Sequence, residues 1–496
     1  MEVLLITRSI RNTFAPINRV PPDVLSLIPD YRETDEELIK LTHVCRSWRD
    51  IFISRASLWT FLDCKDLDKT SVYIQRSRKS PLEVRINRDY LEILLLVAPH
   101  VGRLKALTLS FVGRVWDIRR LIEYFSSTAP LLEKLAINVY GTPISKSNRS
   151  LFGSTFLGGN LSSLRELRFN DFRTDLPWKN MSNLTLFEFR RSGPKTSITQ
   201  LLDFFEQAPL LREIKIFYSF PLSSDAPAER VVSLPHLKLL RISEQAPHSM
   251  LLNHLHIPAG ASATLEFEFG YEGFPIPDHL PSSLDNLGNI AHITSINLDF
   301  NLGPALRLKG PSGNLYMVGV SHYLHPMLDS RTLRFLPKFP ISSTESLTIA
   351  RYATSAGSNT EESAAYQTLL TMNDLRTLTL VNCINLSFIL ALDPNHNASN
   401  TVLCPKLEKL LLYNIRGRQD ESFVDELLEM AKARASMGVR LSTIGMVCGR
   451  ELISKEKVPD LRNYVGNFEY KSDRVTPKWD LIPGDSDESG YDSNWD

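Results

Sequence analysis

Leu104-Lys105-Ala106-Leu107-Thr108-Leu109, Leu132-Glu133-Lys134-Leu135-Ala136-Ile137 and Leu164-Arg165-Glu166-Leu167-Arg168-Phe169 share one spelling, apolar-x-x-apolar-x-apolar. Further copies begin at Leu184, Leu211, Leu237, Ile293, Leu375 and Leu407, and partial copies place strands at residues 265–267 and 347–349. A single match carries little weight, since three apolar residues fall on such positions by chance about once in twenty-five starts. The return of the pattern is the signal. Between the middle apolar residues the successive steps are 28, 32, 20, 27, 26, 25, 31, 51, 31 and 32 residues. Repeats that supply one strand and one helix or turn each run at about 20 to 29 residues.

Apolar helical runs ending in proline precede several copies. Residues 121–125 (Leu-Ile-Glu-Tyr-Phe) lead to Ala129-Pro130, and residues 201–205 (Leu-Leu-Asp-Phe-Phe) lead to Ala208-Pro209. Proline stops such a helix before the next strand. One strand and one helix per repeat, stacked, predict an α/β solenoid with strands on its inner face, whose repeats cover one another's apolar sides cooperatively. The pattern resembles leucine-rich repeats in degenerate form. The asparagine that this family places after the strand is mostly missing, and only Asn301 and Cys383 occupy a suitable position, so an irregular array is expected. The 51-residue step contains a stretch alternating around Gly310-Pro311-Ser312-Gly313, which reads as an inserted β-hairpin near 303–320. Residues 221–230 and 355–362 read as surface loops. An amphipathic helix over 421–437 and alternation over 439–447 are expected to close the array.

Nearer the N-terminus, Val20-Pro21-Pro22-Asp23-Val24-Leu25-Ser26-Leu27-Ile28-Pro29 fits one or two helical turns bounded by proline. Thr34 and Glu37 have capping-box spacing and open a second helix. Leu38, Leu41, Cys45, Trp48 and Phe52 then follow as one apolar stripe, widened by Val44 and Ile51. Ser57-Leu58-Trp59 suggests a third short helix. Three such helices cannot bury enough surface alone, so their excess apolar area must rest on the following domain or on a partner. Periodicity serves either equally.

The order Val-Pro-Pro-Asp-Val-Leu, then Leu38 through Val44-Cys45-Arg46-Ser47-Trp48-Arg49, then Ser57-Leu58-Trp59, resembles the F-box motif, with Val20 where leucine is usual. The resemblance implies docking on the Skp-type adaptor of a cullin ligase. Carried over position by position, it implicates Pro21, Pro22, Leu25, Ile28, Leu38, Leu41, Val44, Cys45, Trp48, Leu58 and Trp59. Residues 62–86 continue as strand, helix and strand, and in this they resemble fungal F-box proteins with degenerate leucine-rich repeats.

Composition narrows the function further. Lys plus Arg and Asp plus Glu each count 56 and the net charge is zero, which argues against nucleic acid as the main ligand. Five scattered cysteines show neither metal spacing nor a disulfide framework, so a reducing compartment is expected. The N-terminal apolar run is too short for a signal peptide, and no run approaches a membrane span. Phosphate-loop, nucleophile-elbow and zinc-protease signatures are absent, and Gly153-Ser154 lacks the elbow's glycine spacing. His254 and His256, with His248 nearby, lack a further ligand, so no metal and no cofactor are expected. In the acidic tail, Glu488-Ser489-Gly490-Tyr491-Asp492-Ser493 resembles a doubly phosphorylated degron with glutamate at its first position, but a solvated, disordered tail is the better account.

A ligand surface follows from strand geometry. The residue between the last two apolar positions of each copy points to the concave side. Its middle members, Arg168, Glu188, Lys215, Arg241 and Glu266, are charged with mixed sign and form the candidate substrate surface, the alternative being a strand face that is simply solvated. The expected organisation is a flexible start at 1–17, an F-box at 18–65, a linking segment at 66–103, the repeats at 104–415, a cap at 416–470 and a disordered tail at 471–496. The reading is a non-catalytic, intracellular ligase adaptor, in cytoplasm or nucleus, joining a Skp-type adaptor and cullin to an unknown protein substrate. An F-box scaffold acting outside ubiquitylation is the alternative.

Overall fold

Alternation along a strand can bury a whole row of side chains only if neighbouring strands align the same positions. The computed structural model shows that alignment. It describes residues 7, 10–11, 14, 16–25, 27–28, 35–87, 91–112, 123–140, 156–159, 161–170, 181–190, 197–217, 226–227, 229–244, 249–269, 279–300, 305–321, 333–350, 359–383, 387–397, 401–414, 422–447 and 457–471. They belong to two compact units, Met1–Pro258 and Ala259–Asp496.

In the first unit, strands β1 (Phe61–Asp63), β2 (Leu82–Ile86), β3 (Leu104–Val112), β4 (Lys134–Tyr140), β5 (Glu166–Asn170), β6 (Leu186–Arg190) and β7 (Glu213–Phe217) pair in chain order, all parallel. A two-stranded parallel ribbon, β8 (Val232–Ser233) with β10 (Leu255–His256), stands apart, and β9 (Leu239–Glu244) pairs with β7. The middle apolar residues Leu62, Val84, Leu107, Leu135, Leu167, Phe187, Ile214 and Leu240 stand opposite one another from strand to strand. Every one of them is buried.

The second unit begins with β11 (Ser262–Phe269), β12 (Ser295–Asp299), β13 (Ala305–Lys309) and β14 (Asn314–Ser321). The hairpin lies within the sheet. Strand β13 runs antiparallel to both β12 and β14, and β14 pairs in parallel with β11. Gly313 closes its turn where an added Cβ would collide with the Ala259 carbonyl oxygen. Strands β15 (Ser346–Ala350), β16 (Thr377–Val381), β17 (Lys409–Tyr413), β18 (Thr443–Val447) and β19 (Asn467–Lys471) extend from β12 in parallel. Their ladder is Ile296, Leu347, Leu378, Leu410, Ile444 and Phe468, so β18 and β19 prolong the row that the repeats begin. Cys383, one of the two residues at the family's asparagine position, donates its thiol to the Ile349 carbonyl at 3.4 Å; Asn301 lies outside the described residues.

Helices back the strands. In the first unit these are α1 (Pro22–Leu25), α2 (Asp35–Thr42), α3 (Arg46–Ser54), α4 (Leu67–Ser77), α5 (Leu91–Val97), α6 (Ile198–Glu206) and α7 (Ser249–Leu252). The second unit has α8 (Asn359–Leu370), α9 (Ser387–Leu392), α10 (Ser422–Ser436) and α11 (Lys457–Tyr464). Helix α6 begins at Ser197, whose hydroxyl accepts from the Gln200 N–H, and its Phe204 and Phe205 rings lie 4.7 and 6.1 Å from Phe187. In α10 the guanidinium of Arg434 is fully buried and donates to the Leu403 and Cys404 carbonyls at 2.8 and 3.0 Å.

The stripe from Leu38 to Phe52, read above as one helix, belongs to two. Cys45 is extended (φ −159°, ψ 174°) and separates α2 from α3. Thr42, His43, Val44 and Cys45 are all weak helix formers, and the Thr42 hydroxyl bonds back to the Ile39 carbonyl at 2.7 Å. The side chain of Arg49 then donates to the Thr42 carbonyl at 3.1 Å and closes the break.

Candidate functional site

The first unit presents two surfaces, one apolar and one charged. The apolar surface is built by short helices. Helix α1 packs on α3 and α2 packs on α3, with Leu25, Leu38, Trp48 and Phe52 buried. A 3-10 turn, Ala56–Trp59, follows and buries Leu58 and Trp59. Trp59 is fully enclosed: its indole N–H donates to the Phe52 carbonyl at 2.9 Å and its ring meets Tyr73 edge-on at 5.0 Å. The Arg76 guanidinium covers the same ring at 4.3 Å. Helix α4, held at its start by Asp66 accepting from the Lys69 N–H, is thereby fixed to the N-terminal helices. Strand β1 follows Trp59 by two residues and is already part of the sheet, so helices and strands are one packed body.

The residues implicated by resemblance divide by exposure. Leu25, Leu38, Trp48, Leu58 and Trp59 are buried within the chain, Ile28, Leu41 and Cys45 are half-buried, and Pro21, Pro22 and Val44 are exposed. Val24 and Leu27 were not implicated, yet they are 52% and 49% exposed, close to the 54% of Val44. Both Val24/Leu27 and Leu25/Ile28 are apolar pairs three residues apart. Helical spacing alone does not say which pair faces inward; the packing of α1 on α3 decides it.

The charged surface is the open face of the first unit's sheet. Arg168, Glu188, Lys215 and Arg241 stand opposite one another on β5, β6, β7 and β9. Glu266 belongs to the second unit. It stands opposite Val318 there, and Asn297 stands between Arg307 and Thr348, because the hairpin separates β11 from β12. Glu188 is only 7% exposed and lies between two arginines, 3.7 Å from Arg168 and in contact with the Arg190 Nε. Glu166 meets both Lys134 at 2.8 Å and Arg168 at 3.5 Å, and Lys215 reaches Glu213 at 3.3 Å. Arg190 and Arg241 also cover the Phe217 ring, at 4.6 and 5.3 Å. Arg190 and Phe217 were not implicated by the strand-row reading, because they lie two residues further along their strands.

Other candidates come apart or lie elsewhere. His254 is buried with Nδ1 2.8 Å from the Arg230 carbonyl, whereas His256 is exposed and His248 lies outside the described residues. Among the described residues no group of three or more His, Cys, Asp or Glu converges on a metal-sized space. Cys45, Cys64, Cys383 and Cys404 are unlinked thiols. Burial pushes the Cys64 and Cys404 thiols up to about 12, which keeps them protonated and poor nucleophiles. Gly153-Ser154, Cys448 and the Ser489–Ser493 tail motif lie outside the described residues. Among the described residues no helix is long and apolar enough to cross a membrane.

Comparison with known families places one part of the chain. Residues 17–65 match the family model for F-box-like domains. The match covers 49 of the 496 residues and includes α1, α2, α3 and β1. No curated protein matches the chain.

Proposed function

We propose that this chain is the substrate-recognition subunit of a Skp–cullin–F-box ubiquitin ligase. Its F-box-like segment binds the Skp-type adaptor, and its strand array, a degenerate leucine-rich-repeat solenoid over 104–415 with a cap to 470, holds a protein substrate. The chain itself performs no chemistry and works in the cytoplasm or nucleus. The observation that carries this reading is the exposure of Val24, Leu27 and Val44 on a segment that matches the F-box-like family. Side chains left about half exposed gain roughly 1 kcal/mol or more each when a partner covers them.

In this reading Pro21, Pro22, Val24, Leu27 and Val44, with Ile28, Leu41 and Cys45 at the margin, touch the adaptor. Leu25, Leu38, Trp48, Leu58 and Trp59 act from beneath by fixing the helices. The Trp59–Tyr73 and Arg76 contacts give the proposal a mechanical sense. A ligase adaptor must hold its substrate at a set distance from the catalytic subunits, and a rigid joint between helices and sheet does that.

The test is co-purification of the full chain with a Skp-type adaptor and a cullin, using Val24→Glu with Leu27→Glu as the variant. Capture of both partners by the natural chain and loss of both by the variant is expected. Adaptor capture without cullin would favour the scaffold reading outside ubiquitylation. No adaptor capture would overturn the proposal.

A further inference from the structure

The charged face of the first unit separates its signs by depth and by row. In the middle row, Ala136, Arg168, Glu188, Lys215 and Arg241 lie side by side; one step toward the strand ends come Asn138, Asn170, Arg190, Phe217 and Ser243. These two rows hold four cationic side chains and one carboxylate. That carboxylate, Glu188, is the buried member, with a side chain 9% exposed, whereas the Arg168 and Arg190 side chains above it are 48% and 52% exposed. A buried acid that binds two guanidiniums from below orients them without cancelling the field they present outward. Phe217 restrains a second pair, with Arg190 and Arg241 over its ring.

We infer that this face binds a short anionic segment of a protein partner, bearing carboxylates or phosphates, laid across β5, β6, β7 and β9 at the Arg168–Arg190–Arg241 cluster. The inference rests on the substrate-recognition reading above and gives it a substrate class. Planar guanidinium forks match the oxyanions of carboxylate and phosphate alike. Three inter-strand steps span about 14 Å, which four or five extended residues cross. The neighbouring row sets the limit, because it carries Glu166 and Glu213, with side chains 27% and 40% exposed. A long polyanion would run over these carboxylates, whereas a short acidic segment need not. A protein segment therefore fits better than a nucleic acid backbone, in keeping with a chain of zero net charge.

The probes are fluorescent ten-residue peptides of neutral background with zero, two or four glutamates, the same peptides with phosphoserine, and a single-stranded oligonucleotide, each titrated onto the full chain. Affinity is expected to rise at least tenfold from zero to four charges, and Arg168→Glu with Arg190→Glu is expected to abolish the rise. Arg376→Gln, which removes an exposed cation paired with Glu408 elsewhere, should leave it unchanged. The glutamate and phosphoserine arms show which oxyanion is preferred, and either preference supports the inference. Equal binding of neutral and anionic peptides, or a rise that survives the double reversal, would overturn it. So would tighter binding of the oligonucleotide than of every peptide. Adaptor capture by the same double variant is measured alongside. Capture retained with peptide binding lost shows a folded chain, and capture absent from the natural chain removes the ligase reading without touching the peptide result.

Discussion

The F-box-like segment and the strand face of the first unit meet water in opposite ways. The first leaves Val24, Leu27 and Val44 half exposed, apolar groups that nothing among the described residues covers fully. The second is densely charged, yet its charges are already engaged, with Glu166 between Lys134 and Arg168 and Glu188 between Arg168 and Arg190. A partner of the first surface gains by removing apolar area from water, which is insensitive to salt and tolerant of detail. A partner of the second must compete with ion pairs already made, so it gains little from contact alone and much from matching the pattern. The difference suits one constant partner and one selected partner.

Trp59 ties the F-box-like segment to helix α4, and removing it should have the largest effect. Trp59→Ala deletes the contacts to Phe52, Tyr73 and Arg76 together, at a cost of about 3–5 kcal/mol in unfolding free energy by urea titration. An unchanged midpoint would mean that the helices and the sheet are not mechanically coupled. The next effect separates the surfaces. Val24→Glu with Leu27→Glu should weaken adaptor binding at least 100-fold, roughly 2.7 kcal/mol. The thermal midpoint should stay within a few degrees, because both side chains are exposed.

Ionic strength sharpens the contrast at smaller scale. Raising salt from 50 to 300 mM should lower anionic-peptide affinity about tenfold and change adaptor affinity less than twofold. Matching salt slopes for the two would erase the distinction. The thiols give the smallest effect. At pH 8, alkylation should reach half-buried Cys45 well before buried Cys64 and Cys404, and a bound adaptor should protect Cys45. Because the folded thiols of Cys64 and Cys404 hold their protons up to about 12 and unfolded ones lose them above 9.0, their contribution to stability is intact below pH 9. It then falls as pH rises from 9 toward 12. Stability that is flat across that window would contradict their burial.

Much of the strand register was legible because the burial of Leu107, Leu135, Leu167, Phe187, Ile214 and Leu240 depends only on alternation, which a sequence displays directly. The hairpin's turn was legible from Gly310 and Gly313, but its insertion between β11 and β12 was not. Strand partners depend on which edges are open, and no local pattern encodes that. Strand β19 escaped notice because Asn467-Phe468-Glu469-Tyr470-Lys471 carries two apolar residues rather than three. At the site, the apolar positions were legible but not their inward or outward sense, so Leu25 was implicated and Val24 was not. The depth of Glu188 was hidden for a similar reason: it depends on Arg168 and Arg190 from two strands closing over one carboxylate.

In the proposed role the chain offers an apolar surface to a constant partner and a separate surface to a substrate. The decisive experiment is titration of a Skp-type adaptor onto the purified full chain, natural and Val24→Glu/Leu27→Glu. Tight, salt-insensitive binding that the double variant loses while its thermal midpoint is kept is the predicted result. Binding that is absent, or that persists undiminished in the variant, would rule out this role for the apolar surface.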